Sequence, residues 1–404
     1  MRILVITNRL PYPLDRGENL RIYHILRRIA ERHEVTMLTF SDPTDEDPQA
    51  LDHLRPLFHE IVTVPFTMGG AFANPLQLLQ FLLRGIPIDL RLFYSEDMIQ
   101  QIKRLTSQTE FDAVQIEHPI LGQYLDYLPE SLQSRTVLVA HDVDYKKGRR
   151  MAAVEKRFLR RMRVLLHSVM MTRWEPMQAG RFPCYVTVSD VDRQVLLASN
   201  PNIRSEVVPN GVDAEALQPL EVIHDKKSLA YVGSMSAPTN VDAVLWFAQE
   251  IFPKIREQCE GVDFWIVGKE PAAEVIALAG DDICVRGRVD DVQPYYEQPM
   301  LGVVPLRAGG GTRLKILEAM ALGRPIVSTS VGCEGIEVSD GENIMIADTA
   351  EAFVEKVMQM LGDPVLRDNI RSQARKLVED KYDWNQLADK MTSILEQVSK
   401  EGAH

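Results

Sequence analysis

Short apolar runs alternate along this chain with stretches of helical period. Residues 3–7 read as a strand, and Ile22, Ile25, Leu26 and Ile29 then recur at the spacing of one helix face. Further strand-like runs cover residues 35–40, 111–116, 136–140 and 185–189. Strands separated by helical periods predict a parallel sheet covered by helices.

The pattern breaks after Asn210-Gly211-Val212-Asp213. Residues 214–227 are polar, contain Pro219 and show no clear period, as expected of an interdomain linker. The alternation then restarts. Strands are predicted at 229–232, ending in Gly233-Ser234, at 264–267, closed by Gly268, and at 283–285, 302–306, 326–328 and 344–346. A helix is predicted near 241–255, and the last one near 385–398. The expected organisation is an α/β fold of two similar sheets in tandem. An N-terminal domain covers 1–213, a linker 214–227 and a second domain 228–384, and a closing helix over 385–404 packs back on the first domain. Ligands of open parallel sheets bind beyond the carboxyl ends of the strands. Two facing sheets would place a substrate cleft between the domains, so residues just after strands come first as candidates.

Composition narrows the class. The 404 residues are 45% hydrophobic and 25% charged, enough for about two or three domains at roughly 150 residues each and unlike a disordered or collagenous chain. A net charge of -12 argues against a nucleic-acid coat. No apolar run approaches the roughly 18 residues of a membrane span. Cys184, Cys259, Cys284 and Cys333 form neither a CxxC pair nor a zinc spacing. They read as reduced thiols of a cytoplasmic protein. Residues 1–9 have too short an apolar core and no cleavage site for a signal peptide.

The most informative segment is Leu306-Arg307-Ala308-Gly309-Gly310-Gly311-Thr312-Arg313-Leu314-Lys315-Ile316-Leu317-Glu318. A buried strand runs into three glycines and then a helix. Glycines let backbone approach a phosphate, and a helix N-terminus offers free N–H donors and positive potential. Arg313 and Lys315 add cations there, and Glu318 lies one turn further on, where a carboxylate can accept from two ribose hydroxyls. Gly323 ends the helix before Pro325. No Gly-Lys-Ser/Thr follows, so this is not a Walker A loop. Gly-x-Ser-x-Gly and HExxH runs are absent, and no metal site is expected.

This segment resembles the donor-binding signature of the retaining glycosyltransferases of family 4, which have the two-domain GT-B fold. Other pieces agree in order along nearly the whole chain: Val208-Pro209-Asn210-Gly211-Val212-Asp213, Tyr231-Val232-Gly233-Ser234-Met235 with Asn240 beyond, Ile266-Val267-Gly268 and Tyr382-Asp383-Trp384. Within the family the chain looks most like sugar transferases of exopolysaccharide systems. The resemblance implies that Glu318 holds the nucleotide ribose and that Arg313 and Lys315 contact the diphosphate, with Gly233, Gly309, Gly310, Gly311 and Thr312 lining the donor. It also implies that Gly17, in the loop from Asn8 to Asn19, approaches the donor phosphate, that His141 lies near the donor sugar and that Glu334 touches ribose or sugar. Glu117-His118 and Ser189-Asp190 read as structural, the latter as a helix cap. Two departures stand out. Gly310 occupies the place of the first Glu of the family's E-x7-E motif, and Ser234, Met235 and Ser236 replace its usual Arg and Lys pair.

The implied activity is transfer of a hexosyl unit from a nucleotide diphosphate sugar to a glycan or lipid-linked acceptor, with no further cofactor and no nucleic-acid partner. An epimerase or phosphorylase on the same fold and a non-catalytic sugar-nucleotide binder remain as alternatives, the last favoured by Gly310.

One basic segment stands apart. Residues 146–163 hold nine Lys or Arg (Lys146, Lys147, Arg149, Arg150, Lys156, Arg157, Arg160, Arg161, Arg163) and one acid, Glu155. Met151, Val154, Phe158, Met162, Leu165 and Val169 fall on one face at roughly 100° per residue. The pattern predicts a basic amphipathic helix whose apolar stripe packs on its own domain. Its charged side could attach peripherally to an anionic membrane surface.

Overall fold

The computed structural model describes residues 1–41, 47–66, 87–154, 157–220, 227–287, 289, 295, 300–309 and 313–403. The chain forms two compact units, Met1–Pro209 with Trp384–His404, and Asn210–Asp383.

The first unit is built on a seven-stranded sheet in the order β3-β2-β1-β4-β5-β6-β7. The strands are β1 (Arg2–Thr7), β2 (Glu34–Ser41), β3 (Glu60–Pro65), β4 (Ala113–Glu117), β5 (Thr136–Val139), β6 (Cys184–Thr187) and β7 (Ser205–Val207). All of its pairings are parallel. Ile3 to Ile6 of β1 have no exposed surface, as a strand covered on both faces requires. The Gly17–Ala30 helix buries Ile22, Ile25, Leu26 and Ile29. The Trp384–Glu401 helix belongs to this unit. His24 stacks on Trp384 with ring centroids 5.5 Å apart, and Arg28 Nε donates to Asn385 Oδ1 at 2.6 Å.

The second unit carries a six-stranded parallel sheet in the order β10-β9-β8-β11-β12-β13. Its strands are β8 (Ser228–Val232), β9 (Asp263–Val267), β10 (Ile283–Arg286), β11 (Leu301–Val304), β12 (Ile326–Ser328) and β13 (Met345–Ile346). The expected α/β class and two Rossmann-like sheets are therefore present. In each sheet the strand order reverses beside one strand, β1 next to β4 and β8 next to β11, and the crevice at such a switch point is where these folds place ligands.

Three local readings change. Two strands lie outside the expected set: β7 has only three residues, while β3 carries the β-branched run Ile61, Val62, Thr63 and Val64. Pro253 cannot donate to the preceding turn. The stretch read as one helix near 241–255 is a Pro238–Trp246 helix, a π turn at Phe247–Ile251 and a Phe252–Gln258 helix. Residues 214–220 are held against the second unit. Arg375 donates to the carbonyls of Ala214 and Leu217, at 2.7 and 2.5 Å.

The basic segment is not one helix either. Asp144–Val154 and Phe158–Ala179 form a helical hairpin. A Cβ at Gly148 would meet Ser168 Cβ at 2.9 Å, so glycine permits the close crossing. Ser168 Oγ donates to the Tyr145 carbonyl at 2.7 Å. The expected packing of the apolar stripe fails along Phe158–Ala179, where the opposite side of the helix faces the core; the side chains of Met151 and Val154 lie outside the described residues. Phe158 is 72% exposed, Leu159 82%, Met162 48%, Leu166 55% and Val169 62%, while Met171 and Trp174 enter the core with Leu90, Val143 and Tyr145.

Candidate functional site

In the second unit the candidate residues gather at the β8/β11 switch point. The Leu314–Ala321 helix starts directly after the glycine segment. From its first turn Lys315 Nζ donates to Tyr231 Oη at 2.8 Å and approaches Asn240 Oδ1 at 3.4 Å. Tyr231 Oη donates to Asn240 Oδ1 at 2.7 Å, and Asn240 Nδ2 donates to the Ser234 carbonyl at 2.8 Å. A Cβ at position 233 would stand 2.4 Å from Lys315 Nζ, so the glycine leaves the end of Lys315 its present place. The residue as a whole keeps some exposure, but its ammonium end is enclosed by these groups. Burial, and then Arg313, push Lys315 down to about 7, with Glu318 acting in the opposite direction. Burial raises the Glu318 carboxyl, and Lys315 partly offsets this.

Arg313 caps the same helix, and Gly309, at φ +136°, gives it room. A Cβ at Gly309 would lie 2.3 Å from Arg313 Nη2. Arg307, just past β11, forms a two-pronged pair with Asp242 at 3.0 and 2.6 Å and lies 5.2 Å from the Trp246 ring centre. Its pKa is raised by the hydrogen bond to Asp242. Glu334 is partly buried in the turn after β12, followed by Gly335 at φ +86°. Gly310, Gly311 and Thr312 lie outside the described residues. Among the described residues no group of three His, Cys, Asp or Glu is placed to hold a metal ion.

The first unit holds a second cluster, at the β1/β4 switch point. His141 follows β5, and its Nε2 lies 2.7 Å from Glu117 Oε2 at the end of β4. Gln115 Nε2 donates to the other oxygen of Glu117 at 2.5 Å. His118 is held at φ +83°, a strained value for a residue with a side chain, and its ring stacks on His141 at 6.1 Å. Gly17, exposed, opens the helix that carries Glu18. Burial would raise Glu18, but His141, His118, Arg9 and a hydrogen bond from Asn8 more than offset it and leave its pKa lowered. Arg21, buried and pushed down to about 10 by desolvation, is drawn back up by Glu117. It donates to the Pro209 carbonyl at 2.7 Å.

Lys315, Arg313, Glu318, Gly233 and Gly309 thus share one end of the second sheet, and His141 lies in the first unit. Tyr231, Asn240, Asp242, Arg307, Glu18 and Glu117 were not singled out as site residues from sequence. Tyr231, Asn240 and Arg307 stood only within the motifs quoted above and Glu117 at a strand end, while nothing local pointed to Asp242 or Glu18.

Comparison with known proteins fits this architecture. A family model described as "Glycosyltransferase Family 4" matches residues 16–216, and one described as "Glycosyl transferases group 1" matches 226–363. A 44.6 kDa protein in the cps region of Klebsiella pneumoniae is 22% identical over 165 residues, 39% of this chain and 42% of its own. The capsular polysaccharide biosynthesis glycosyltransferase CapM of Staphylococcus aureus is 29% identical over 115 residues, 27% of this chain and 30% of its own. The matched segments therefore span less than half the length of these relatives. Among solved structures, the sucrose-phosphate synthase of Thermosynechococcus elongatus superposes over 99% of this chain and 100% of its own, with TM-score 0.71 and 16% identity. Anabaena HepE in complex with UDP does so over 98% and 100%, with TM-score 0.68 and 14% identity. With both halves matched in order by the family's models, the chain belongs to the group 1, family 4 glycosyltransferases of GT-B fold.

Proposed function

We propose that this enzyme is a retaining hexosyltransferase that uses a nucleotide diphosphate sugar. Its acceptor would be a glycan or lipid-linked sugar in exopolysaccharide or capsule synthesis. The observation that carries the reading is the Lys315 ammonium, held by Tyr231 and Asn240 at the start of a helix that follows a glycine loop. A diphosphate there meets Lys315, whose charged form it favours, the cationic Arg313 and helix N–H groups. Glu318, one turn along, takes the ribose. His141 acts at the donor sugar. The bond from the anomeric carbon to the diphosphate breaks, and the acceptor oxygen bonds on the same face. Its proton passes to the departing diphosphate, so no carboxylate nucleophile is needed. The protein contributes positioning and stabilisation of the leaving charge. The relative CapM, named for capsular polysaccharide biosynthesis, supports the substrate class.

The test is a thermal-shift panel of nucleotide sugars followed by transfer assays with the best binder. A ligand stabilises by RT ln(1 + [L]/Kd). Transfer should persist in EDTA, because Arg313 and Lys315 supply the cationic charge, and NMR of the product should show the donor's anomeric configuration. Inversion would exclude the mechanism. Product formed without acceptor would make the protein an epimerase, and binding without turnover a sugar-nucleotide binder.

The exposed face of the Phe158–Ala179 helix supports a peripheral membrane role. No described helix is long and apolar enough to cross a membrane. Arg157, Arg160, Arg161 and Arg163 are exposed beside Phe158, Leu159 and Met162. Each basic residue near an anionic surface contributes about 1 kcal/mol. Each large apolar side chain adds at most about 1.5–3 kcal/mol on full burial. With the stripe exposed, insertion replaces simple adsorption. The protein should sediment with vesicles containing anionic lipid, and high salt should release only part of it. Changing Phe158, Leu159 and Met162 to Ser should leave only the salt-sensitive part. Equal binding to neutral vesicles, or none at low salt, would refute the role.

A further inference from the structure

Glu117 closes β4, where Gln115 and Glu117, two residues apart, share a face. Glu117 pairs in register with Val139 of β5, and His141 lies two residues beyond Val139. The sheet therefore brings the carboxylate and the imidazole together as diagonal neighbours. Both are enclosed, with side chains 3% and 11% exposed. One carboxylate oxygen is taken by Gln115 Nε2 and the other faces His141 Nε2. A carboxylate only accepts, so in the neutral ring Nε2 must carry the proton and Nδ1 the lone pair. Among the described residues Nδ1 has no hydrogen-bond partner.

We infer that Glu117 is a positioning residue that fixes His141 as its Nε2–H tautomer and aims Nδ1, as an acceptor, at a hydroxyl of the bound sugar. The inference rests on the role proposed above for His141. Gln115 holds Glu117 in turn. The strained backbone of His118 follows from the same turn, which leaves β4 immediately after Glu117.

Histidine labelled with 15N tests this in the whole protein, at a pH where the ring is neutral. In the wild type His141 should carry its proton on Nε2, protected from solvent exchange, with Nδ1 bare. In Glu117→Met the protected signal should vanish. Its kcat should fall on the order of 10²-fold, as for a misplaced reacting group, with donor affinity little changed. His141→Ala should fall as far, and the double variant should be no slower than His141→Ala alone. A proton on Nδ1 in the wild type would overturn the inference, whether or not the variant folds. So would losses that add in the double variant, because a merely structural Glu117 would act independently of His141. Wild-type turnover in His141→Ala would instead remove the sugar contact, and with it this inference's role in catalysis, while the NMR would still report whether Glu117 sets the tautomer.

Discussion

Lys315→Ala should weaken binding of a nucleoside diphosphate about 10- to 150-fold, with an unchanged circular dichroism spectrum. A charge-assisted hydrogen bond is worth about 1.5–3 kcal/mol, and each 1.4 kcal/mol is about tenfold in Kd. Tyr231 and Asn240 already hold the ammonium in place, so little side-chain entropy remains to be lost on binding. Lys315→Arg should not rescue. A guanidinium is larger and planar, and Gly233 leaves room only for the slimmer ammonium. Calorimetry with UDP, GDP and ADP measures the loss. Equal affinity in wild type and Lys315→Ala would separate this lysine from the diphosphate.

Alanine at either of two neighbouring glycines should impair donor binding, but only one of them should cost stability. At Gly268 a Cβ would fall 1.8 Å from the Gly233 carbonyl oxygen. That atom is backbone, so the β8 and β9 ends must move apart. The bond from Gly233 N to the Val267 carbonyl, 2.9 Å, lies between them. Overpacking of this kind typically costs about 1–3 kcal/mol or more. Gly268→Ala should lower the midpoint of denaturant unfolding of the second unit and abolish donor binding. At Gly233 the obstructing atom is Lys315 Nζ, the tip of a flexible chain. Gly233→Ala should unfold like wild type yet bind the diphosphate as poorly as Lys315→Ala. Unchanged stability in Gly268→Ala, or unchanged binding in Gly233→Ala, would contradict the close packing of these two turns.

What the sequence made legible was local. Strand–helix alternation, the run into Gly309 and the one-turn spacing of Lys315 and Glu318 are patterns within a few residues. The fold class and the family follow from them. The partners of those residues are distant in the chain. Lys315 meets Tyr231 across 84 positions, Arg307 meets Asp242 across 65, and His141 meets Glu117 across 24. Sheet register makes the last pair, and helices placed at the switch point make the other two; no local periodicity carries either. Glu117 therefore read as an ordinary strand end. The basic segment failed for another reason. Its apolar spacing assumed one helix with the stripe inward, whereas in Phe158–Ala179 Ser168, Met171 and Trp174 face the core and Phe158, Met162 and Val169 face out.

Proton uptake on binding reports whether Lys315 receives the donor diphosphate. Burial holds the Lys315 ammonium down at about 7 in the free enzyme. At pH 8 it is then mostly neutral, whereas a diphosphate beside it favours the charged form. The nucleotide is fully ionised at this pH. Binding of the tightest of UDP, GDP and ADP, measured calorimetrically in buffers of different ionisation enthalpy, should take up protons at pH 8. Uptake should shrink toward pH 6, where the lysine is already protonated, and vanish in Lys315→Ala. No uptake at pH 8, or the same uptake in Lys315→Ala, would contradict the account.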